Sequence, residues 1–243
     1  MYDSTRRGSR RQLLSVCCAV LLLVIVAGCV SHVQRQTPQL RREAGAQPAI
    51  VVMPLDVELS EMTAGGLAQP QAEWTDAAHS HMRAVLEEHA RARNLRLVFF
   101  DPARGSDEDR DDGLALVALH RAVGSSVLIH QYMGRPLPSK EGRFDWSLGP
   151  SAEAIARAQG ADYALFLFVR DSYASAGRIA VIAVAALLGA GVPGGSQVGF
   201  ASLVDLRNGD IVWFNWLQRA SGDLRTQQGA SETVELLVSD AMK

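Results

Sequence analysis

The chain has 243 residues, with 24 Lys plus Arg against 26 Asp plus Glu and a formal net charge of −2. Lysine occurs only at Lys140 and Lys243, so the clustered cations that a phosphate backbone requires are missing and nucleic acid is not an expected partner. The cysteines are Cys17, Cys18 and Cys29; everything after Cys29 is free of thiols, which excludes a disulfide framework, a zinc-thiolate site and a cysteine nucleophile there.

At the amino-terminal end Arg6, Arg7, Arg10 and Arg11 precede an apolar run from Leu13 to Gly28. Arginines stay at an anionic cytoplasmic face while such a run enters the bilayer. The run is shorter than the about 20 apolar residues of an ordinary transmembrane helix, and it ends in small residues before a cysteine. Val26-Ala27-Gly28-Cys29 resembles a bacterial lipobox. That resemblance implies a signal peptide over 1–28, cleavage before Cys29, a diacylglyceryl thioether on its sulfur, and an acylated (palmitate-type) amino terminus. Val30, not Asp, follows the cysteine, which by the same resemblance implies sorting to the periplasmic leaflet of the outer membrane. Loss of the leader removes four arginines and Asp3 and leaves a net charge of about −5. Ser9-Arg10-Arg11-Gln12-Leu13-Leu14 also resembles a twin-arginine export signal, whereas the strongly apolar Val20 to Val26 suits ordinary unfolded export.

From Val30 to Gln47 the chain is polar and shows no sustained apolar period, so residues 29–47 read as a lipidated cysteine and a flexible tether reaching roughly 25 Å. Residues 48–243 fit a single domain with a sizeable core. Ala49 to Met53 reads as a buried strand, with Pro54 marking its end or an edge position. Trp74, Ala77, Ala78, His81, Met82, Val85, Leu86 and His89 fall on one stripe of a long amphipathic helix. Leu95 to Phe100 is a second strand and Leu114 to Tyr132 a second helix, led by the acids Asp107, Glu108, Asp109, Asp111 and Asp112, which suit a helix start. After an irregular loop over 133–149, Pro150-Ser151 opens a short helix that ends at Gly160. Ala164 to Val169 is apolar on both faces and reads as the central strand. Val198 to Leu206 and Ile211 to Leu217 flank Asn208-Gly209, the pair favoured in a type I′ turn. A final helix lies within Gln227 to Met242. The expected fold is α/β: one domain with a mixed sheet of about five strands, a C-terminal antiparallel hairpin, and helices packed on it.

This element order, with Leu203-Val204-Asp205-Leu206-Arg207-Asn208-Gly209-Asp210-Ile211-Val212-Trp213 as its hairpin, resembles the domain shared by curli-secretion-type, penicillin-binding-protein-activator-type and TolB-amino-terminal-like envelope proteins. The resemblance spans 48–243 and implies a role in protein interaction, assembly or secretion without catalytic residues. The amphipathic alternating strands of a secretion barrel are not found, so a pore is not expected.

Other patterns are weaker than they look. Gly189-Ala190-Gly191-Val192-Pro193-Gly194 matches G-x-G-x-x-G, but a helix precedes it and a strand follows, the reverse of a dinucleotide site; no cofactor is expected. His81 and His89 lie about 12 Å apart along one helix and cannot share an ion, and His79 and His81 point to different sides. Asp107 to Asp112 misses the calcium-loop pattern. Asp56, Asp101 and Asp171 each follow a proposed strand, where open α/β sheets place ligands, and together would hold Mg²⁺ in a metal-dependent hydrolase; aspartate there is also a common turn former.

Ile179 to Val192 is long, apolar and free of charge. A buried helix over the sheet is its default reading; the alternative is a surface that contacts membrane or another subunit. Val212, Phe214 and Trp216 are expected on one face of the last strand and Ile211 and Trp213 on the other, with Trp213 and Trp216 as candidate partner-binding residues and Trp216 the more exposed. The functional expectation is a non-enzymatic, outer-membrane-anchored lipoprotein that binds an envelope protein or itself. The alternatives are an aromatic-lined module for peptidoglycan or a small molecule, and the acidic hydrolase.

Overall fold

The computed structural model describes residues 31–35, 48–220, 222–238, 240 and 241. The leader and Cys29 lie outside the described residues. Among the described residues eight strands form one mixed sheet: β1 (Ser31–Arg35), β2 (Ala49–Val52), β3 (Asp56–Met62), β4 (Ala68–Pro70), β5 (Arg96–Phe99), β6 (Tyr163–Ala174), β7 (Ser196–Asp205) and β8 (Ile211–Arg219). The helices are α1 (Ala72–Ala92), α2 (Asp107–Val127), α3 (Ala152–Gln159), α4 (Ala176–Leu187) and α5 (Gln227–Val238), with a π turn over Leu128–Tyr132 and a 3₁₀ turn over Pro138–Lys140.

The sheet runs β1-β8-β7-β6-β2-β5, with β3 beside β6 and β4 beside β3. Strands β5, β2 and β6 are parallel; β6, β7, β8 and β1 are antiparallel. All five expected strands are present, and β1, β3 and β4 are additional. The β3 sequence Asp56-Val57-Glu58-Leu59 alternates polar and apolar and buries Val57 and Leu59, a period-two signal that the sequence reading passed over. Residues 31–35, expected within the tether, instead pair with β8 through Ser31↔Gln218 to Arg35↔Phe214.

Strand β6 is the axis of the fold. Its first residues pair with β2 (Ile50↔Tyr163) and its last seven with β3 (Asp56↔Phe168 to Met62↔Ala174). Pro54, which has no N–H, sits in the break between the two. Alternation along β6 sends Leu165, Leu167 and Val169 to one face, where Met82, Val85 and Leu86 of α1 and Val234 and Leu237 of α5 cover them. Ala164 and Phe166 go to the other face, against Leu116 of α2 and Ile155 of α3. The result is a helix-sheet-helix sandwich with a core on each side.

Local signals set the ends. Ser106 accepts a hydrogen bond from the Asp109 amide while Asp109 accepts from the Ser106 amide, a reciprocal cap that starts α2. The hydrogen bonds that the Ser106 amide and, at 2.8 Å, the Ser106 hydroxyl donate to it hold the Asp109 carboxyl below its usual range. Gly160, at φ 65°, ends α3. The β7–β8 connection is longer than a two-residue turn: the Gly209 amide donates to Asp205 O at 2.8 Å and the Asp205 amide to Asp210 O at 2.9 Å. Of Asn208 and Gly209 only Gly209 has positive φ, so the turn is not type I′. The Asn208 side chain instead accepts the Asp210 amide at 3.0 Å, a local closure typical of asparagine.

Candidate functional site

After Ala174 the chain leaves the sheet and forms α4. Ser175 starts it by accepting the Arg178 amide at 3.1 Å. The Arg178 guanidinium donates to Pro193 O from Nε at 3.2 Å and from Nη2 at 3.1 Å. That clamp joins the start of the helix to the glycine-rich loop that returns to β7. Gly189, at φ 76°, lies just past the helix end. The sequence Ala176-Gly177-Arg178-Ile179-Ala180-Val181-Ile182-Ala183-Val184-Ala185-Ala186-Leu187 carries one charge, yet α4 has no buried residue. Ile182 and Ala185 are half-buried, and Ile182 rests near Gly194. Ile179 and Val184 are each 59% exposed, Leu187 87% and Leu188 80%. The default expectation of a helix covering the sheet is therefore corrected. Both faces of the sheet are already occupied, by α1 with α5 and by α2 with α3, and α4 begins where the sheet ends.

A buried polar network lies at the root of α4. Asp171, 3% exposed, accepts from Tyr173 Oη, from Gln197 Nε2 at 2.8 Å and from the Leu224 amide. Burial pushes its carboxyl above the usual range, opposed by those donors and the Arg219 charge. The Tyr173 hydroxyl is raised in turn by burial and by Asp171. Gln197 Oε1 accepts from Arg219 Nε at 2.7 Å, and Arg219 also donates to Thr233 Oγ1 at 2.9 Å. The network stitches β6, β7 and β8 to α5 and holds the 222–224 loop; sequence reasoning missed it because its members are far apart in the chain and match no motif. Beside it lies an open cleft of about 420 Å³ whose wall includes Tyr173, Ile179, Pro193, Gly195 and Arg225. The Arg225 guanidinium lies 3.9 Å from the Tyr173 ring.

The other candidates resolve differently. Trp213 is 0% and Trp216 9% exposed, so neither forms an open recognition platform. Trp213 belongs to the α1/α5 core and Trp216, with Ile211 and Phe214, to the α2/α3 core. An irregularity in the ladder between Leu203 and Val204, which face Trp213 and Ile211, shifts the alternation by one residue. Ile211 therefore joins Phe214 and not Trp213, and Val212 packs on the opposite core from Phe214.

The three aspartates serve separate purposes. Asp56 is paired with Arg121 at 2.6 Å and Arg170 at 2.7 Å. Asp101 accepts the Ala103 amide at 2.9 Å and faces Arg104. Asp171 belongs to the buried network on the α5 side, whereas Arg121 binds Asp56 from α2 on the other side. No group of three or more His, Cys, Asp or Glu among the described residues is placed to hold a metal ion. His79 and His81 face backbone oxygens of Val57 and Leu224 at 3.4 Å, and His89 faces Glu235. The glycine motif 189–194 lies between α4 and β7, in the reversed context expected. Among the described residues, 107–132 is the segment with the length and hydropathy of a membrane-spanning helix; Leu116, His120, Gly124 and Val127 bury its inner stripe.

No known family matches the chain, and no curated protein matches it. Among solved structures it is similar to the PelC dodecamer from Paraburkholderia phytofirmans, at 16% identity and a TM-score of 0.38, over 86% of this chain and 96% of that one. A second crystal form, of a variant of the same dodecamer, gives 17% identity and a TM-score of 0.38, over 88% of this chain and 96% of that one. The LpoB C-terminal domain from Salmonella enterica gives 16% identity and a TM-score of 0.26, over 72% of this chain and 84% of that one.

Proposed function

We propose that this chain is a lipoprotein anchored through Cys29 in the periplasmic leaflet of the outer membrane, and that its α/β domain works by binding an envelope protein or another copy of itself, not by catalysis. The observation that carries the reading is α4: an apolar helix with no buried residue, whose Ile179, Val184 and Leu187 are mostly exposed and uncovered among the described residues. Exposed apolar surface of this kind marks contact sites. A protein surface suits it better than a bilayer. Twelve residues span about 18 Å, well short of the about 30 Å hydrocarbon core. The helix also lacks the basic polar face of interfacial helices, because its single cation, Arg178, is held by Pro193 O. The resemblance of Val26-Ala27-Gly28-Cys29 to a lipobox supports the compartment and the short distance to envelope partners.

The test places a photo-crosslinking amino acid at Val184 or Leu187 of the full chain in its native envelope, with exposed Glu153 as the control position. Discrete protein adducts from α4, absent at Glu153 and reduced when Cys29→Ser frees the chain from the membrane, are the expected result. Adducts to lipid alone, or no adduct from α4, would overturn the binding assignment, and an unmodified Cys29 thiol in mass spectra would overturn the anchor.

A further inference from the structure

We propose that the open edge of β5 is a strand-addition site for an extended acidic peptide of a partner protein. The inference concerns a different surface from α4 and stands without it.

Strand β5 ends the sheet, and its one strand neighbour among the described residues is β2. Along it runs a cleft of about 610 Å³ lined by Leu97 and Phe99, which lean toward the α1 core, and by Val98 and Phe100, which lean toward the α2 core. A single cleft touches both faces of a strand only by following its free edge. The Phe100 amide donates to Val52 O at 2.9 Å, and successive residues of a ladder turn their amides to opposite sides. The N–H and C=O of Phe99 and the C=O of Leu97 therefore face outward, while the Leu97 amide closes on Leu95 O at 3.1 Å. These are the groups an added strand uses, and the four half-buried apolar side chains supply pockets for alternate residues of the incoming peptide.

Charge selects the occupant. Arg83 is anchored over the Phe99 ring at 3.7 Å and paired with Glu87, and Arg104 is paired with Asp101. Arg91 uses its Nε on the Glu87 backbone oxygen and, among the described residues, pairs with no carboxylate. Arg96 is exposed at the start of the strand with no ion pair among the described residues. Both are placed to meet carboxylates on an added strand. The middle of the edge, from Leu97 to Phe99, is apolar; Arg91 lines the cleft and Arg96, the first residue of the strand, is exposed at its start.

The probe is a fluorescein-labelled peptide of four Asp-Val repeats, titrated against the full chain in detergent micelles and read by fluorescence anisotropy. The inference requires saturable binding that weakens at least tenfold when alternate peptide amides are N-methylated, when Lys replaces Asp in the peptide, and in the Arg91→Glu, Arg96→Glu double variant. Unchanged circular dichroism confirms that the double variant, altered only at exposed side chains, is folded. Equal binding of the N-methylated or Lys peptide would overturn it, as would no saturable binding. Sedimentation showing this edge closed by a second copy of the chain would also overturn it.

Discussion

His120 Nε2 lies 2.8 Å from Ser202 Oγ, in the layer between α2 and the sheet, with the imidazole stacked 4.8 Å from the Phe166 ring. The histidine is 1% exposed, and burial depresses its pKa to about 3 against a weaker opposing pull from Asp56. It is therefore neutral in the folded protein. As pH falls below the unfolded value near 6.5, the unfolded chain takes up this proton and the folded chain does not. The stability that a neutral His120 supplies is complete above about pH 6.5 and is lost progressively toward pH 3. Between pH 7 and pH 5 the loss from this group is about 2 kcal/mol. Urea unfolding at both pH values, compared with His120→Leu, checks it: the variant is less stable at pH 7 but loses less on acidification.

Gly124 of α2 faces the same layer. A Cβ there would stand 2.2 Å from the Phe200 ring, which is itself stacked between Phe168 at 4.6 Å and Phe214 at 5.6 Å. Alanine normally improves a helix interior by about 1 kcal/mol over glycine. Here overpacking at a ring held on both sides costs about 1–3 kcal/mol, so Gly124→Ala lowers the thermal midpoint. A midpoint at or above that of the unaltered chain would show that α2 can lift off the sheet at no cost.

The sheet, the main helices and the hairpin were legible because their apolar periods match what they bury. Leu165 and Leu167 against Ala164 and Phe166, for example, are apolar on both faces because both faces are covered. The turn type was not legible, since Asn208 closes the loop with its side chain and not with a positive φ. Nor was the fate of α4. Composition says that Ile179 to Leu188 is helical and apolar, but whether a helix is covered depends on which elements occupy the two faces of the sheet, and four others do. Trp213 and Trp216 failed as surface candidates for the converse reason: β8 is flanked by β7 and β1 and buried on both faces. Strand β5 looked like any short apolar run; its position at the end of the sheet is set by long-range pairing that no local pattern records.

Asp56 shows how a residue suited to a metal serves an ion pair. Its side chain is 8% exposed and held between Arg121 and Arg170, and Arg170 also lies 4.3 Å from the Phe168 ring. Asp56→Asn keeps the shape, removes the charge, and leaves two guanidinium groups facing an amide. The expected cost is about 1–3 kcal/mol in chemical denaturation. Millimolar Mg²⁺ is expected to leave the thermal midpoint of the unaltered chain unchanged; a clear rise that Asp56→Asn abolishes would reinstate the metal site.

The two kinds of apolar helix in this domain predict opposite responses to the same class of change. Leu86 of α1 is 0% exposed in the core, so Leu86→Ala removes buried methyl groups, leaves a cavity and costs about 2–5 kcal/mol. Val184 and Leu187 of α4 are 59% and 87% exposed, so replacing both with Gln, a better helix former than Val and about equal to Leu, shifts stability by no more than about 0.5 kcal/mol. It is nevertheless expected to reduce self-association of the detergent-solubilised chain in sedimentation and to abolish the α4 crosslinks. A loss of several kcal/mol in the Val184→Gln, Leu187→Gln chain would show that α4 is covered by the protein's own residues, and the contact surface would have to be sought elsewhere on the domain.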